Sequence, residues 1–160
     1  MARAKVSAGL LMYRTRKGVL EVLLAHPGGP LFARKDAGVW TIPKGEPNAD
    51  EALEATARRE FAEETGLGDE VTAELLVLGD IQQKGGKVVH AWAFEGDCDV
   101  SQLACNTFEL EWPPRSGKRQ SFPEVDRFEF FDVEAARAKI NPAQVELLDR
   151  LERLVRALSA

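Results

Sequence analysis

Only two cysteines occur in the chain, Cys98 and Cys105, and neither has a CxxC spacing or a nearby histidine pair. That argues against zinc and against a disulfide framework. No apolar run reaches the roughly 18 residues of a membrane-spanning helix. The N-terminal "MARAKVSAGLLMYRTRKG" is basic and then apolar, without a convincing signal-peptide core or cleavage site. A soluble, cytoplasmic protein with no membrane partner is expected. Positive charge is in deficit: 21 Lys and Arg stand against 26 Asp and Glu, a net charge of −5. No global basic field is available to collect nucleic acid, and no stable nucleic-acid complex is expected. An anionic substrate would have to be met by local basic groups or bound cations. Internal repeats and disordered linkers are also missing. What is present is an ordinary globular balance, 44% hydrophobic and 29% charged residues over 160 positions. That length suits a single domain over residues 1–160 with a real core.

Val6 to Tyr13 reads as a strand, and "VLEVLLAHPGGP" as a second one ending in a Gly/Pro loop, with Arg16-Lys17-Gly18 as the hairpin connection. Val39 to Ile42 is a short third strand candidate. A helix follows. Asn48 and Glu51 have the spacing of a capping box, Gly66 is a C-terminal stop, and Leu53, Ala57 and Phe61 form an apolar ridge. Val71 to Leu78 and Val88 to Phe94 read as further strands around a Gly85-Gly86 turn. Asp97 to Gln120 reads as mostly irregular, and Phe128 to Phe131 as a last short strand. Asp132 is placed to cap a short helix reaching Ile140. Asn141-Pro142, with Gln144 completing the capping box, opens a final helix with an apolar face of Leu147, Leu148, Leu151, Leu154, Val155 and Leu158. Strands and helices alternate unevenly, so the expected class is α/β, a mixed central sheet between helical layers. The C-terminal helix can pack on its own sheet or on a partner, so a homodimer stays open.

The stretch "RREFAEETG" puts three carboxylates, Glu60, Glu63 and Glu64, within five residues of one helix. Like charges one turn apart cost a few tenths of a kcal/mol per pair. At about 100° per residue, Glu60 and Glu64 share a ridge and Glu63 falls beside them. Three carboxylates on one narrow face are poorly compatible with full ionisation unless cations sit among them. Hard divalent cations prefer oxygen ligands, and Mg²⁺ commonly combines a few carboxylates with substrate phosphates. The competing reading is a solvated acidic helix end.

The wider spacing separates the two. Gly45, five residues, Glu51, seven residues, then Arg59-Glu60-Phe61-Ala62-Glu63-Glu64-Thr65-Gly66-Leu67 resembles the Nudix box in full, G-x5-E-x7-R-E-U-x-E-E-x-G-U with U a bulky apolar residue. The resemblance implies a Nudix α/β/α sandwich and a pyrophosphohydrolase. Nudix hydrolases use Mg²⁺ or Mn²⁺ to cleave a diphosphate linkage in a nucleoside diphosphate joined to another group. It also implies that Glu60 and Glu64, then Glu63, are metal ligands, and that the peptide carbonyl near Gly45 contributes. Arg59 is expected to orient a box glutamate. Glu51 either supports the metal site or only caps its helix. The family's catalytic base lies sometimes in the box and sometimes on a later loop, where Glu124 is the candidate and Glu109 and Glu111 compete.

Outside the box, "WTIPKG" is similar to segments in Nudix enzymes acting on diadenosine polyphosphates and related nucleotides. Lys44 is a candidate phosphate contact or an ordinary loop lysine. Trp40 either stacks a base or belongs to the core. Arg115, Lys118 and Arg119 crowd a flexible glycine and suit a polyphosphate chain, or are solvated loop charges. His26, in "HPGGP", is near a turn that could approach substrate, and His90 reads as structural. The expected substrate is a small nucleotide: a dinucleoside polyphosphate first, a nucleoside triphosphate, including oxidised ones, second. A signature for nucleoside diphosphate sugars is not apparent, and RNA 5′-ends are neither required nor excluded by the basic loop. A catalytically silent nucleotide-binding sensor is the alternative of a different class.

Overall fold

β1 and β2 alternate their apolar side chains onto two faces, and both faces are covered. The computed structural model describes residues 5–67 and 71–159. In chain order it comprises β1 (Val6–Arg16), β2 (Val19–Pro27), β3 (Lys44–Gly45), α1 (Leu53–Thr65), β4 (Leu76–Gln82) and β5 (Val88–Glu95). A hairpin of β6 (Thr107–Glu111) and β7 (Arg119–Pro123) follows, then β8 (Val125–Asp132), α2 (Val133–Lys139) and α3 (Val145–Ser159). The central sheet runs β4-β5-β1-β2-β8 with β3 added on β1; β1 and β5 are parallel and the other pairs antiparallel. Ala8, Leu10, Met12, Leu23 and Ala25 face α1 with Ala57 and Phe61. Leu11, Tyr13, Val22 and Leu24 face the other way, against Leu147, Leu148 and Leu151 of α3. The result is a three-layer α/β/α sandwich with a mixed sheet, as expected.

Lys17 (φ 52°) and Gly18 (φ 79°) make the β1–β2 connection. Two consecutive positive φ values define the type I′ turn whose twist matches the flanking strands. Toward the other end of this pair, β1 and β2 splay, and residues 40–45 wedge between them. Thr41 bridges Ala25 of β2, while Lys44 and Gly45 pair with Gly9 and Ala8 of β1. Gly9 permits this, because a Cβ there would lie 2.6 Å from Pro43 O. The wedge delivers Gly45 to the surface of the sheet beneath α1.

Several elements differ from the expectations. The Val39–Ile42 strand is reduced to isolated bridges at Trp40 and Thr41, and the paired residues are Lys44–Gly45. Asn48 and Glu51 form a turn ahead of the helix, which begins at Leu53 with Ala52 as an uncapped N-terminus. Glu51 still accepts from Asn48 N (3.1 Å), half of the anticipated box. Gly66 ends α1 in the left-handed conformation, φ 70°, as its position suggested. β4 starts at Leu76 rather than Val71. The span Asp97–Gln120 is mostly irregular, as expected, yet it also holds a short 3-10 turn, Val100–Gln102, and most of the β6–β7 hairpin. That pairing brings Phe108 and Phe122 together, a cross-strand contact with no strong local signal. Gln144 is fully buried and does not cap. Its Oε1 accepts from Ile42 N (3.1 Å) and its Nε2 donates to Gln83 Oε1 (2.8 Å). Leu158, counted in the apolar face of α3, is exposed.

Candidate active site

The ridge of α1 that carries Glu60 and Glu64 lies over the wedge. Glu60 presses on Gly45: a Cβ at that glycine would stand 2.0 Å from the Glu60 carboxyl carbon and 2.2 Å from Oε2. A side chain there would push the Glu60 carboxylate out of its present position, so glycine lets this carboxylate pack directly on the backbone. Lys44 N donates to Glu64 Oε2 at 2.6 Å. Two carboxylates and the β3 backbone therefore meet in one small volume.

Their titration reflects that crowding. Burial pushes the Glu64 carboxyl up to about 8, against the Lys44 N–H and the Lys44 charge, with Glu60 and Glu124 pushing the same way as burial. Glu60 is also raised, first by burial, although Arg59 opposes the shift. Burial lowers the Lys44 ammonium, while Glu64 pulls it back and Lys87 adds to the lowering. Lys87, next to the β4–β5 turn, is thus a second cation near the site that the linear sequence did not single out. The signal would have been its strand register: Val88 follows it and pairs with Val6 of β1, two residues from the Ala8–Gly45 pair.

Glu63 does not join the other two. It is exposed and turned to Arg59, 3.1 Å from Nη1, because the Glu60–Glu64 ridge faces the sheet and Glu63 falls on its outer edge. The expected convergence of three carboxylates is therefore corrected to two. Among the described residues no three Asp, Glu, His or Cys side chains are grouped as a ready metal cage. The residues still fit a divalent cation: two crowded oxygen donors with raised pKa values, packed on the Lys44–Gly45 backbone, are what such a cation relieves.

Arg59 organises the box. Its Nε and Nη2 donate to the two oxygens of Glu51 at 2.9 Å each, a bidentate pair, while Nη1 donates to Glu60 Oε1 at 2.8 Å and Nη2 to Glu46 O at 3.1 Å. Glu51 is held down to about 2 by Arg59, then by Asn48 N–H and the Thr56 hydroxyl. Its contacts are with Arg59 and this loop–helix turn rather than with the Glu60–Glu64 volume.

Glu124, between β7 and β8, has its charge felt at both Glu60 and Glu64. Its rivals are engaged on the hairpin: Glu109 faces Arg119 at 3.4 Å, and Glu111 accepts from Gly117 N at 3.0 Å. Arg115, Lys118 and Arg119 are exposed at the hairpin's far end. Trp40 cannot stack a base. It is 1% exposed, edge-on to His26 and Phe131, and its Nε1 donates to Asp36. The wedge turns it into the core on the α3 side of the sheet. His26 is buried too, with Nδ1 2.7 Å from Asp126 Oδ1 and Nε2 2.6 Å from Lys35 O. His90 is half-buried within β5.

This fold is similar to solved structures. One is a C. elegans Ap4A hydrolase in a binary complex, with TM-score 0.65 and 22% identity over 94% of this chain and 98% of that one. Another is the NUDIX domain of Shewanella oneidensis NrtR complexed with ADP ribose, TM-score 0.65 and 15% identity over 97% and 90%. A third is a MutT protein from Methanosarcina mazei, TM-score 0.59 and 22% identity over 98% and 99%. At these identities the likeness concerns the fold. The family is shown by a match to the NUDIX domain over residues 3–151. With the box carboxylates gathered at the Lys44–Gly45 wedge, that match means the chain belongs to the Nudix hydrolase family.

Proposed function

We propose that the protein hydrolyses a diphosphate linkage in a nucleotide, with dinucleoside polyphosphates as the preferred class and Mg²⁺ or Mn²⁺ as cofactor. The observation that carries this reading is the half-buried Glu64, bonded to Lys44 N and set beside Glu60, whose carboxylate packs against the Gly45 backbone. A divalent cation bound there supplies positive charge against the phosphate oxygens and the departing phosphate. Glu60 and Glu64, with the carbonyl near Gly45, would hold it, with Glu63 as the outer candidate. Arg59 keeps Glu60 turned inward and fastens the preceding loop through Glu51. Glu124 takes the proton of the attacking water on a carboxylate oxygen. Lys44 and Lys87 meet phosphate oxygens at the site, while Arg115, Lys118 and Arg119 reach farther along the polyphosphate chain.

The preference for dinucleoside polyphosphates is supported by the WTIPKG segment and by fold similarity to a protein named as an Ap4A hydrolase. Similarity to a MutT protein supports nucleoside triphosphates as the second substrate class. The NrtR domain was solved with ADP ribose bound; a nucleotide-binding sensor without turnover is the contrasting case. One experiment separates them: incubation with a panel of dinucleotides and triphosphates, with and without Mg²⁺ or Mn²⁺, with identification of phosphate-containing products. Cation-dependent cleavage, fastest on a dinucleoside polyphosphate, is expected. Binding without turnover of any compound would replace the hydrolase with a sensor.

A further inference from the structure

Glu124 sits where the β6–β7 hairpin returns to the central sheet, and neighbouring backbone and one thiol hold it in place. Glu124 N donates to Asn106 O at 2.9 Å, and Gly28 N donates to Glu124 O at 2.9 Å. At the next residue, Val125 N donates to Cys105 Sγ at 3.0 Å, and the Cys105 thiol donates to Val125 O at 3.2 Å. A single side chain thus satisfies both polar backbone groups of Val125, the first residue of β8. Gly28 closes the other side. A Cβ at that position would lie 1.9 Å from Pro123 O and 2.9 Å from Pro123 C, so the two segments touch backbone to backbone.

We infer that Cys105 is a positioning residue for Glu124: with Gly28 it clamps the Glu124–Val125 backbone and so fixes the base from which the Glu124 carboxylate projects. The inference rests on the reading of Glu124 as proton acceptor. The physical need is clear. A glutamate at a strand junction, on the stem of an exposed hairpin, would otherwise sample many positions. A displacement of about 1 Å at a reacting group can cost on the order of 100-fold in rate. Val125 pairs with Pro27 of β2 on one side, and β8 is the last strand in the sheet order, so the thiol serves the backbone groups of Val125 that the sheet ladder does not take. It acts through the backbone and need not touch substrate.

The test uses the full chain with Cys105→Ala, Cys105→Ser, Gly28→Ala, Glu124→Gln and the double variant C105A/E124Q. Two quantities are read: kcat and KM on the fastest dinucleotide of the panel, and amide hydrogen exchange at Val125 in the parent and variants. Cys105→Ala is expected to lower kcat about tenfold or more and leave KM within about twofold, because positioning acts on the chemical step. Cys105→Ser, which keeps a donor and an acceptor, recovers much of the loss. Gly28→Ala disturbs the same backbone from the other side and lowers kcat likewise. The double variant is no slower than Glu124→Gln alone, since a clamp with nothing to position has no further effect. Val125 exchange accelerates in Cys105→Ala and not in Glu124→Gln.

Parental kcat in Cys105→Ala, an equal fold-loss in the Glu124→Gln background, or unchanged Val125 exchange would each overturn the inference. Parental turnover in Glu124→Gln removes Glu124 as the base and the positioning role with it. If the parent cleaves nothing in the panel, the hydrolase reading and the catalytic role of the clamp both fall, while Val125 exchange still decides whether the clamp exists.

Discussion

Partly shielding a carboxylate from water while leaving it one backbone N–H favours the protonated acid, and the half-buried Glu64 is in that position. Its folded pKa is raised from 4.5 to about 8, mainly by burial. The folded state therefore holds this proton more tightly than the unfolded chain. Without divalent cations, that contribution is fully present below about pH 4.5 and is lost as pH rises through about 8. Thermal melts of the parent in EDTA should fall across this window, and Mg²⁺ should reverse the fall. Glu64→Gln keeps an oxygen for Lys44 N but carries no charge to desolvate. It should melt higher than the parent in EDTA at pH 8 and lose the pH dependence. With Mg²⁺ present its turnover should drop by roughly 100- to 1,000-fold, the loss of several kcal/mol of charge stabilisation. A Glu64→Gln protein with parental turnover would remove Glu64 from the site.

At the scale of the element, the box is a loop and helix fastened by one arginine. Glu51 holds Arg59 from the turn before α1, and Arg59 in turn reaches Glu60, Glu63 and Glu46 O. The depressed pKa of Glu51 gives the opposite sign to that of Glu64: its contribution is present above about pH 4.5 and is lost as pH falls toward about 2. Glu51→Gln should lower the melting temperature at pH 7 and flatten the acid limb followed by circular dichroism. An acid limb unchanged by the substitution would mean the pair does not couple to folding. The spacing of Glu51 and Arg59 was visible in the sequence, yet not which role Glu51 takes. A capping box and an arginine clamp use the same residue at the same position, and in the fold Glu51 accepts from Asn48 N and from two Arg59 nitrogens while α1 begins only at Leu53. The β6–β7 hairpin left only half a signal. Thr107–Glu111 alternates polar and apolar residues in step with its burial, but its partner Arg119–Pro123 offers a single half-buried apolar side chain, Phe122, so the pairing was not marked from both sides.

For the whole molecule, Gln144 joins three regions distant in sequence. It ties the start of α3 to the wedge at Ile42 and to the β4–β5 turn at Gln83, entirely out of water. Replacing it with leucine leaves Ile42 N–H buried without a partner, while the half-exposed Gln83 can turn its amide to water. Each buried unpaired group costs about 1–3 kcal/mol. Gln144→Leu should therefore lose about 1–3 kcal/mol in urea denaturation, and a loss near zero would show that water or rearrangement replaces the bond to Ile42 N–H. The same wedge decides Trp40. Its segment resembles a substrate loop, but threading between β1 and β2 turns the ring into the α3-facing core, where Phe131 and His26 enclose it.

The amino-acid order alone determined the strand and helix pattern of the two-faced sheet, the glycine stop of α1, and the Nudix box with its carboxylates. These are local properties, set by periodicity and spacing over a few residues. Tertiary structure decided which carboxylates face inward, that Lys87 stands near Lys44, and that Cys105 and Gly28 reach the Glu124–Val125 backbone from about 20 and about 100 positions away. Those outcomes depend on where the β1–β2 splay admits residues 40–45 and where the β6–β7 hairpin returns. Both are contacts between distant segments, which local periodicity does not encode.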